Sequence, residues 1–148
     1  MPIKQVSVFL DNRPGALSEV IEHIDKFQMK IFALSIAEAG EFGLIRMITE
    51  DPEKAVKDLE KSEFILAKSK KNTEVLAILI SENAKVSEIA KMLGDENLNI
   101  EYAYSSAVLL NGKLAVILRA NDLNRAEKIL RENNIPLLSL DEIKKSFS

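Results

Sequence analysis

Chemistry in this sequence concentrates at one turn, Leu10-Asp11-Asn12-Arg13-Pro14-Gly15-Ala16-Leu17, where an apolar run ends and a proline and glycine open a helical pattern. The backbone N–H groups of Gly15, Ala16 and Leu17 stand at a helix start. Intrahelical acceptors are missing there and the helix dipole is positive, so a carboxylate is favoured beside them. Gly15 has no Cβ and lets a ligand come close to the backbone. The same Pro14-Gly15 pair also serves simply to begin a helix, and the residues alone leave both readings open.

Other reactive groups are sparse. The chain has no cysteine, which removes thiolate nucleophiles, thiolate metal sites and disulfides, and fits a reducing, cytoplasmic setting. His23, the only histidine, lacks a triad partner and reads as a solvated or half-buried helix residue. Asp11 with Glu41 or Glu101 would make an acid–base pair only if the fold brought them together, and no spacing requires it. No catalytic residue is named, so the chain is not expected to be an enzyme. Acidic residues are spread along helices, so neither a metal site nor a cofactor is expected. Tyr102 and Tyr104 share one strand face and read as packing residues ahead of ligand contacts. Arg46, a charge in an apolar strand, requires a partner in Glu38, Glu50 or an anion. Phe42-Gly43-Leu44-Ile45 resembles the RNA-recognition-motif signature, but Leu44 and Met47 occupy the places of its stacking aromatics.

The elements that position these groups follow from hydrophobic spacing. Val6, Val8 and Leu10 alternate on one face of a strand over residues 3–10, with Phe9 on the other, which predicts a well-buried strand. Pro14 suits the first turn of a helix whose inward stripe is Leu17, Val20, Ile21, Ile24 and Phe27. Residues 31–37 and 42–49 predict an antiparallel pair around Glu38-Ala39-Gly40-Glu41. Asp51 then caps and Pro52 opens a second helix carrying Ala55, Val56 and Leu59 inward, and residues 64–68 predict a fourth strand.

The order strand, helix, strand, strand, helix, strand is that of a ferredoxin-like βαββαβ unit, and the second half repeats it. Leu17-Ser18-Glu19-Val20 matches Val86-Ser87-Glu88-Ile89, and Met29-Lys30-Ile31 matches Leu98-Asn99-Ile100, both at an offset of 69. Beyond the hairpin the offset is 71, placing Glu50-Asp51-Pro52-Glu53-Lys54-Ala55 on Asn121-Asp122-Leu123-Asn124-Arg125-Ala126. Two units are expected, residues 1–70 and 71–148. The second has strands at 74–81, 98–106, 113–120 and 136–140, helices at 85–93 and 122–132, and a terminal helical turn capped by Asp141. Ser69-Lys70-Lys71-Asn72-Thr73 between them is too short for a long tether. The fold class is α+β: two such units side by side, helices on one face. Their antiparallel sheets are expected to join into about eight strands by pairing residues 31–37 with 98–106, since an unpaired apolar edge is an association template.

Composition agrees with this. The 148 residues are 47% hydrophobic and 29% charged, a globular balance that excludes disordered and fibrous classes. A net charge of −3 offers no broad footprint for a polyanion, so nucleic acid is not an expected partner. No apolar run approaches the ~20 residues that span a bilayer, so no membrane is expected. Met1-Pro2-Ile3-Lys4 does not open a signal peptide.

In its turn and its doubled pattern the sequence resembles the ACT family of small-molecule-sensing domains, and more narrowly the stand-alone tandem ACT proteins. The matching segments are Val8-Phe9-Leu10-Asp11-Asn12-Arg13-Pro14-Gly15-Ala16-Leu17, Ile31-Phe32-Ala33-Leu34-Ser35-Ile36-Ala37, Glu41-Phe42-Gly43-Leu44-Ile45-Arg46 and Leu98-Asn99-Ile100-Glu101-Tyr102-Ala103-Tyr104. The resemblance spans nearly the whole chain. It implies an amino acid bound at an interface between two ACT units, regulating amino-acid metabolism through a partner enzyme or regulator. In similar serine-sensing domains, the asparagine of the Asn-Arg-Pro-Gly turn and one on the partner unit's second strand hold the ligand. Carried over, these are Asn12 and Asn99, with Ile100 and Tyr102 as strand neighbours. In the other copy Ser81 replaces Asn12, Asn83 replaces Pro14, Ala84 replaces Gly15, and Lys30 stands where Asn99 would, so one competent and one degenerate site are expected per chain. The alternative is a structural assembly module without a small ligand. Pairing of two chains into a homodimer stays open.

Overall fold

The computed structural model describes residues 2–146, which form two compact units: residues 4–73, and residues 74–146 together with residues 2 and 3. The apolar alternation at the start of the chain is interrupted once. Ile3–Lys4 form a short strand, β1, and the ladder restarts as β2 (Val6–Asp11). Gln5 divides them: its backbone N–H donates to the Thr73 carbonyl at 2.9 Å and its side-chain amide to the Asn72 carbonyl at 3.1 Å. Val6, Val8 and Leu10 enter the core as their alternation requires, whereas Phe9, expected inside, is 38% exposed.

Helix α1 (Ala16–Lys26) sets Ala16, Val20 and Ile24 against β2, while Phe27 falls at the C-cap beyond the stripe. β3 (Ile31–Ala39) and β4 (Phe42–Thr49) are antiparallel, with Leu34 opposite Met47, around a turn where Gly40 takes φ +71°. α2 (Pro52–Lys61) begins where its sequence places it, the Lys54 N–H donating to the Asp51 carboxylate at 3.1 Å. The expected fourth strand shrinks to a bridge of Leu66 with Val8, flanked by Phe9 N–H to the Ile65 carbonyl and Ala67 N–H to the Ser7 carbonyl, 2.9 Å each. Glu63, at φ +67°, limits it on one side, and α3 (Lys70–Thr73) limits it on the other by turning the expected linker into one helical turn. The core packs Val6, Val8, Val20, Ile24, Ile45, Met47 and Leu59. Each such side chain stabilises the fold by about 1.5–3 kcal/mol on burial.

The second unit repeats the plan with β5 (Glu74–Leu79), α4 (Val86–Asp95), β6 (Ile100–Ser105), β7 (Ala115–Ala120), α5 (Leu123–Glu132), β8 (Leu137–Leu138) and α6 (Leu140–Lys145). Its core gathers Leu76, Ile78, Ile89, Leu93, Leu118, Ala126 and Leu130. Asp122 caps α5 as Asp51 caps α2, again at 3.1 Å, and Gln28 and Asn97 take matching φ of 54° and 59° after α1 and α4. The cap of α6 is Ser139 and not Asp141. Ser139 Oγ accepts from the Glu142 N–H while the Glu142 carboxylate accepts from the Ser139 N–H, both at 3.1 Å. This reciprocal box needs a serine three residues before a glutamate, which Asp141 is not placed to supply.

The strands fall into two sheets and not into one of about eight. One holds five strands, β1 and β8 beside β5, then β7, then β6; the other holds β2, β4 and β3. Among the described residues β3 pairs only with β4, and β6 only with β7. Each of these edge strands carries a register irregularity at its start, between Ile31 and Ala33 and between Ile100 and Tyr102. Bulges of this kind twist an edge and blunt it against further pairing. No helix among the described residues is long and apolar enough to cross a membrane.

Candidate functional site

The turn between β2 and α1 is built by the termination of a strand and an uncapped helix start. Asp11 ends β2, and the Arg13 N–H donates back to the Asp11 carbonyl at 2.9 Å. Gly15 is the N-cap of α1 at φ +87°, a left-handed conformation that glycine adopts without a Cβ penalty, and no side chain caps the helix. Residues 11–15 are exposed. Of the three amides expected to be open, that of Ala16 is engaged, donating to the Arg13 carbonyl at 3.3 Å, and Ala16 is buried. Those of Gly15 and Leu17 have no protein acceptor among the described residues, nor does the Asn12 side chain have a hydrogen bond. The turn thus presents two backbone donors and one amide side chain at the positive end of α1.

Arg13 and Glu19 brace it, a feature sequence reading overlooks. Arg13 Nη2 donates to Glu19 Oε2 at 2.7 Å, and Arg13 Nε lies 3.6 Å from Asp11 Oδ2. That hydrogen bond, ahead of the mutual charge, holds the Glu19 carboxyl below the ordinary glutamate range and raises the guanidinium. The signal available in sequence was an acidic residue in the first helical turn after an arginine, a pairing of opposite charges across a helix start. Next to the turn lies a cleft of about 160 Å³ lined by Phe9, Leu10, Asp11, Ala16, Phe42 and Ile65, among others.

The corresponding turn of the second unit is tied differently. Ser81 and Ala84 exchange backbone hydrogen bonds, Ser81 N–H to the Ala84 carbonyl at 3.3 Å and Ala84 N–H to the Ser81 carbonyl at 3.1 Å, and the Asn83 N–H turns to Ser81 Oγ at 3.3 Å. The N-cap moves one residue on, to Lys85 in extended conformation, and Ala84 is buried. Of the two amides that stay open in the first copy, the counterpart of Gly15, in Ala84, is consumed here, whereas that of Leu17, in Val86, again has no protein acceptor among the described residues.

Asn99 precedes β6. Its backbone is tied to Asn121, and its side chain is exposed and makes no hydrogen bond among the described residues. Ile100 packs against the second core, and Tyr102 and Tyr104 are half-buried on the same face of β6. His23 is half-buried and meets Phe64 edge-on, ring centroids 5.1 Å apart, which is a packing role. Arg46 lies half-buried between Ser7 and Ser35 in register, and Glu50, one of its expected partners, instead accepts the Lys30 N–H at 3.0 Å. Among the described residues no group of three or more His, Cys, Asp or Glu side chains is placed to hold a metal.

Compared with known families, residues 1–146 match the model described as ACT domain pair. The chain belongs to this family. Among solved structures, this ACT domain pair is similar to protein BT0572 from Bacteroides thetaiotaomicron, 32% identical over 97% of this chain and 96% of that one, with a TM-score of 0.83. It also shares its fold with the regulatory subunit of aspartate kinase from Thermus thermophilus in its ligand-free form, 15% identical over 88% and 91% of the two chains, TM-score 0.56. The corresponding Thermus flavus subunit is 16% identical over 98% and 92%, TM-score 0.54. No curated protein matches its sequence. The family match confirms the resemblance read from the Asn12 turn and the doubled βαββαβ order.

Proposed function

We propose that this ACT domain pair is a non-catalytic amino-acid sensor. It binds its ligand through the Asn12–Leu17 turn, with Asn99 as the second determinant, and reports to a partner enzyme or regulator of amino-acid metabolism. The observation that carries the reading is the turn itself, where the open amides of Gly15 and Leu17 and the unbonded side chain of Asn12 occur together at an uncapped helix start whose residues 11–15 are exposed. Such a start binds a carboxylate, and the asparagine side chain can take the ammonium beside it. Membership of the ACT domain pair family supports the reading, and two proteins of the same fold are named as regulatory subunits of aspartate kinase.

The test is a thermal-shift screen of the twenty amino acids on the full chain. A ligand that binds only the folded state raises Tm by mass action, and at one hundred times its Kd it stabilises by about 2.7 kcal/mol. The expected result is a saturable shift with at least one amino acid, reduced in Asn12→Ala and in Asn99→Ala. No shift with any of them would favour an assembly module instead, and an undiminished shift in Asn12→Ala would move the site elsewhere.

A further inference from the structure

The face of the first sheet turned away from α1 and α2 ends in the cleft beside the turn. Phe9 and Phe42 stand diagonally across the β2–β4 ladder, where Phe9 is opposite Leu44 and Asp11 opposite Phe42, and Ile65 joins them at the cleft. The three are 38%, 51% and 69% exposed. Scattered exposed apolar residues are ordinary, but large ones lining one concavity mark an interaction site. The cleft itself, about 160 Å³, has room for about one side chain, and it opens onto a more exposed depression of about 450 Å³.

Its surroundings are acidic. Asp11, Glu19 and Glu63 edge the cleft, and Glu22 lies in the depression that continues past His23 and Lys26. Arg13, the cation at the cleft, is engaged by Glu19 at 2.7 Å and Asp11 at 3.6 Å. Glu22 and Glu63 have no ion pair among the described residues. An apolar floor inside a rim of net negative charge is complementary to one kind of occupant. We propose that this cleft docks a segment of a partner protein that brings one large apolar side chain flanked by lysine or arginine. The apolar anchor supplies the affinity and the basic flanks supply orientation and rate. A second copy of this chain, which carries a net charge of −3, is the poorer fit. The surface goes beyond amino-acid sensing, since Phe42 and Ile65 lie outside the turn.

Panning a random phage-displayed peptide library on the full chain, then measuring the enriched peptides by fluorescence anisotropy, tests this. Enriched peptides should share Leu, Phe or Trp between Lys or Arg residues. Their affinity should fall at least tenfold in Phe42→Ser/Ile65→Ser, and fall with a weaker salt dependence in Glu22→Gln/Glu63→Gln. Both apolar positions are exposed, so the double variant should keep its circular dichroism and Tm, and the thermal shift with an amino acid should persist in it. Absence of a basic consensus, or unchanged binding to the double variant, would overturn the proposal. So would a concentration-dependent dimer that Phe42→Ser/Ile65→Ser abolishes, because the cleft would then belong to a second copy.

Discussion

Asn121 clamps Asn99 by two hydrogen bonds, its Oδ1 accepting the Asn99 N–H at 2.9 Å and its own N–H donating to the Asn99 carbonyl at 3.0 Å. The first unit repeats this between Glu50 and Lys30, at 3.0 and 3.1 Å, so the offsets of 69 and 71 are the two sides of one conserved contact geometry within the chain. Asn99 contributes only backbone to the clamp. Its side chain is exposed and makes no hydrogen bond among the described residues.

Stability and binding should accordingly separate at these two asparagines. Asn121→Ala removes the acceptor of the Asn99 N–H and should cost about 1 kcal/mol in urea unfolding. Asn99→Ala leaves both bonds in place and should change stability by less than about 0.5 kcal/mol, as surface substitutions do, while weakening the amino-acid thermal shift. An Asn99→Ala protein that lost stability as Asn121→Ala does would assign Asn99 a purely structural role.

Gly15→Ala tests the turn conformation. A Cβ at Gly15 would meet nothing within 4 Å, so steric contact within the protein is not the obstacle. The obstacle is φ +87°, where an L-residue is strained by about 1–2 kcal/mol. The expected outcome is destabilisation of that order in chemical denaturation and a weakened amino-acid response, since relief of the strain would re-aim the Gly15 and Leu17 amides. Gly94, which takes no such angle, is the control: Gly94→Ala, within α4, should stabilise by a few tenths to about 1 kcal/mol.

The Arg13–Glu19 pair predicts a local titration. The Arg13 hydrogen bond depresses the Glu19 carboxyl in the folded chain, partial desolvation opposes it, and the charge of Arg13 adds to it. A carboxyl lowered on folding contributes stability above its unfolded value and loses that contribution as pH falls through the folded value. Carbon-detected NMR should show Glu19 titrating below the ordinary glutamate range, and returning to it in Arg13→Ala. Because the pair is exposed, the effect should shrink in high salt.

Much of this fold was legible because it rests on local rules. Asp51 and Asp122 announce their helices through capping, Pro52 through its fixed φ, and the cores through 3.6-residue and two-residue spacing. What sequence could not supply was long-range. Gln5 breaks the first strand because Asn72 and Thr73 compete for it across 67 residues, a contact no local pattern contains. Phe9 followed its alternation correctly yet remains exposed, since alternation fixes the face but not what covers it. At the turn, residue types foretold the open amides of Gly15 and Leu17, while the loss of Ala16 to the Arg13 carbonyl and the Arg13–Glu19 brace depend on the actual backbone angles.

The two turns finally predict a stoichiometry. In the first copy the N-cap is a glycine whose own N–H, like that of Leu17, has no acceptor among the described residues. In the second the chain closes between Ser81 and Ala84 at 3.1 and 3.3 Å, the Asn83 N–H is spent on Ser81 Oγ, and the helix starts one residue later at Lys85. A carboxylate arriving there meets the open Val86 N–H but neither the amide that Asn12 supplies, since Ser81 stands in its place, nor the counterpart of the Gly15 N–H, since that of Ala84 is spent on the Ser81 carbonyl. Calorimetry with the amino acid identified by thermal shift should therefore give one site per chain. Asn12→Ala should abolish or weaken it at least tenfold, whereas Ser81→Ala should leave the affinity unchanged. Two equal sites per chain would show that the differences between the copies at Asn12/Ser81 and Gly15/Ala84 have no bearing on binding.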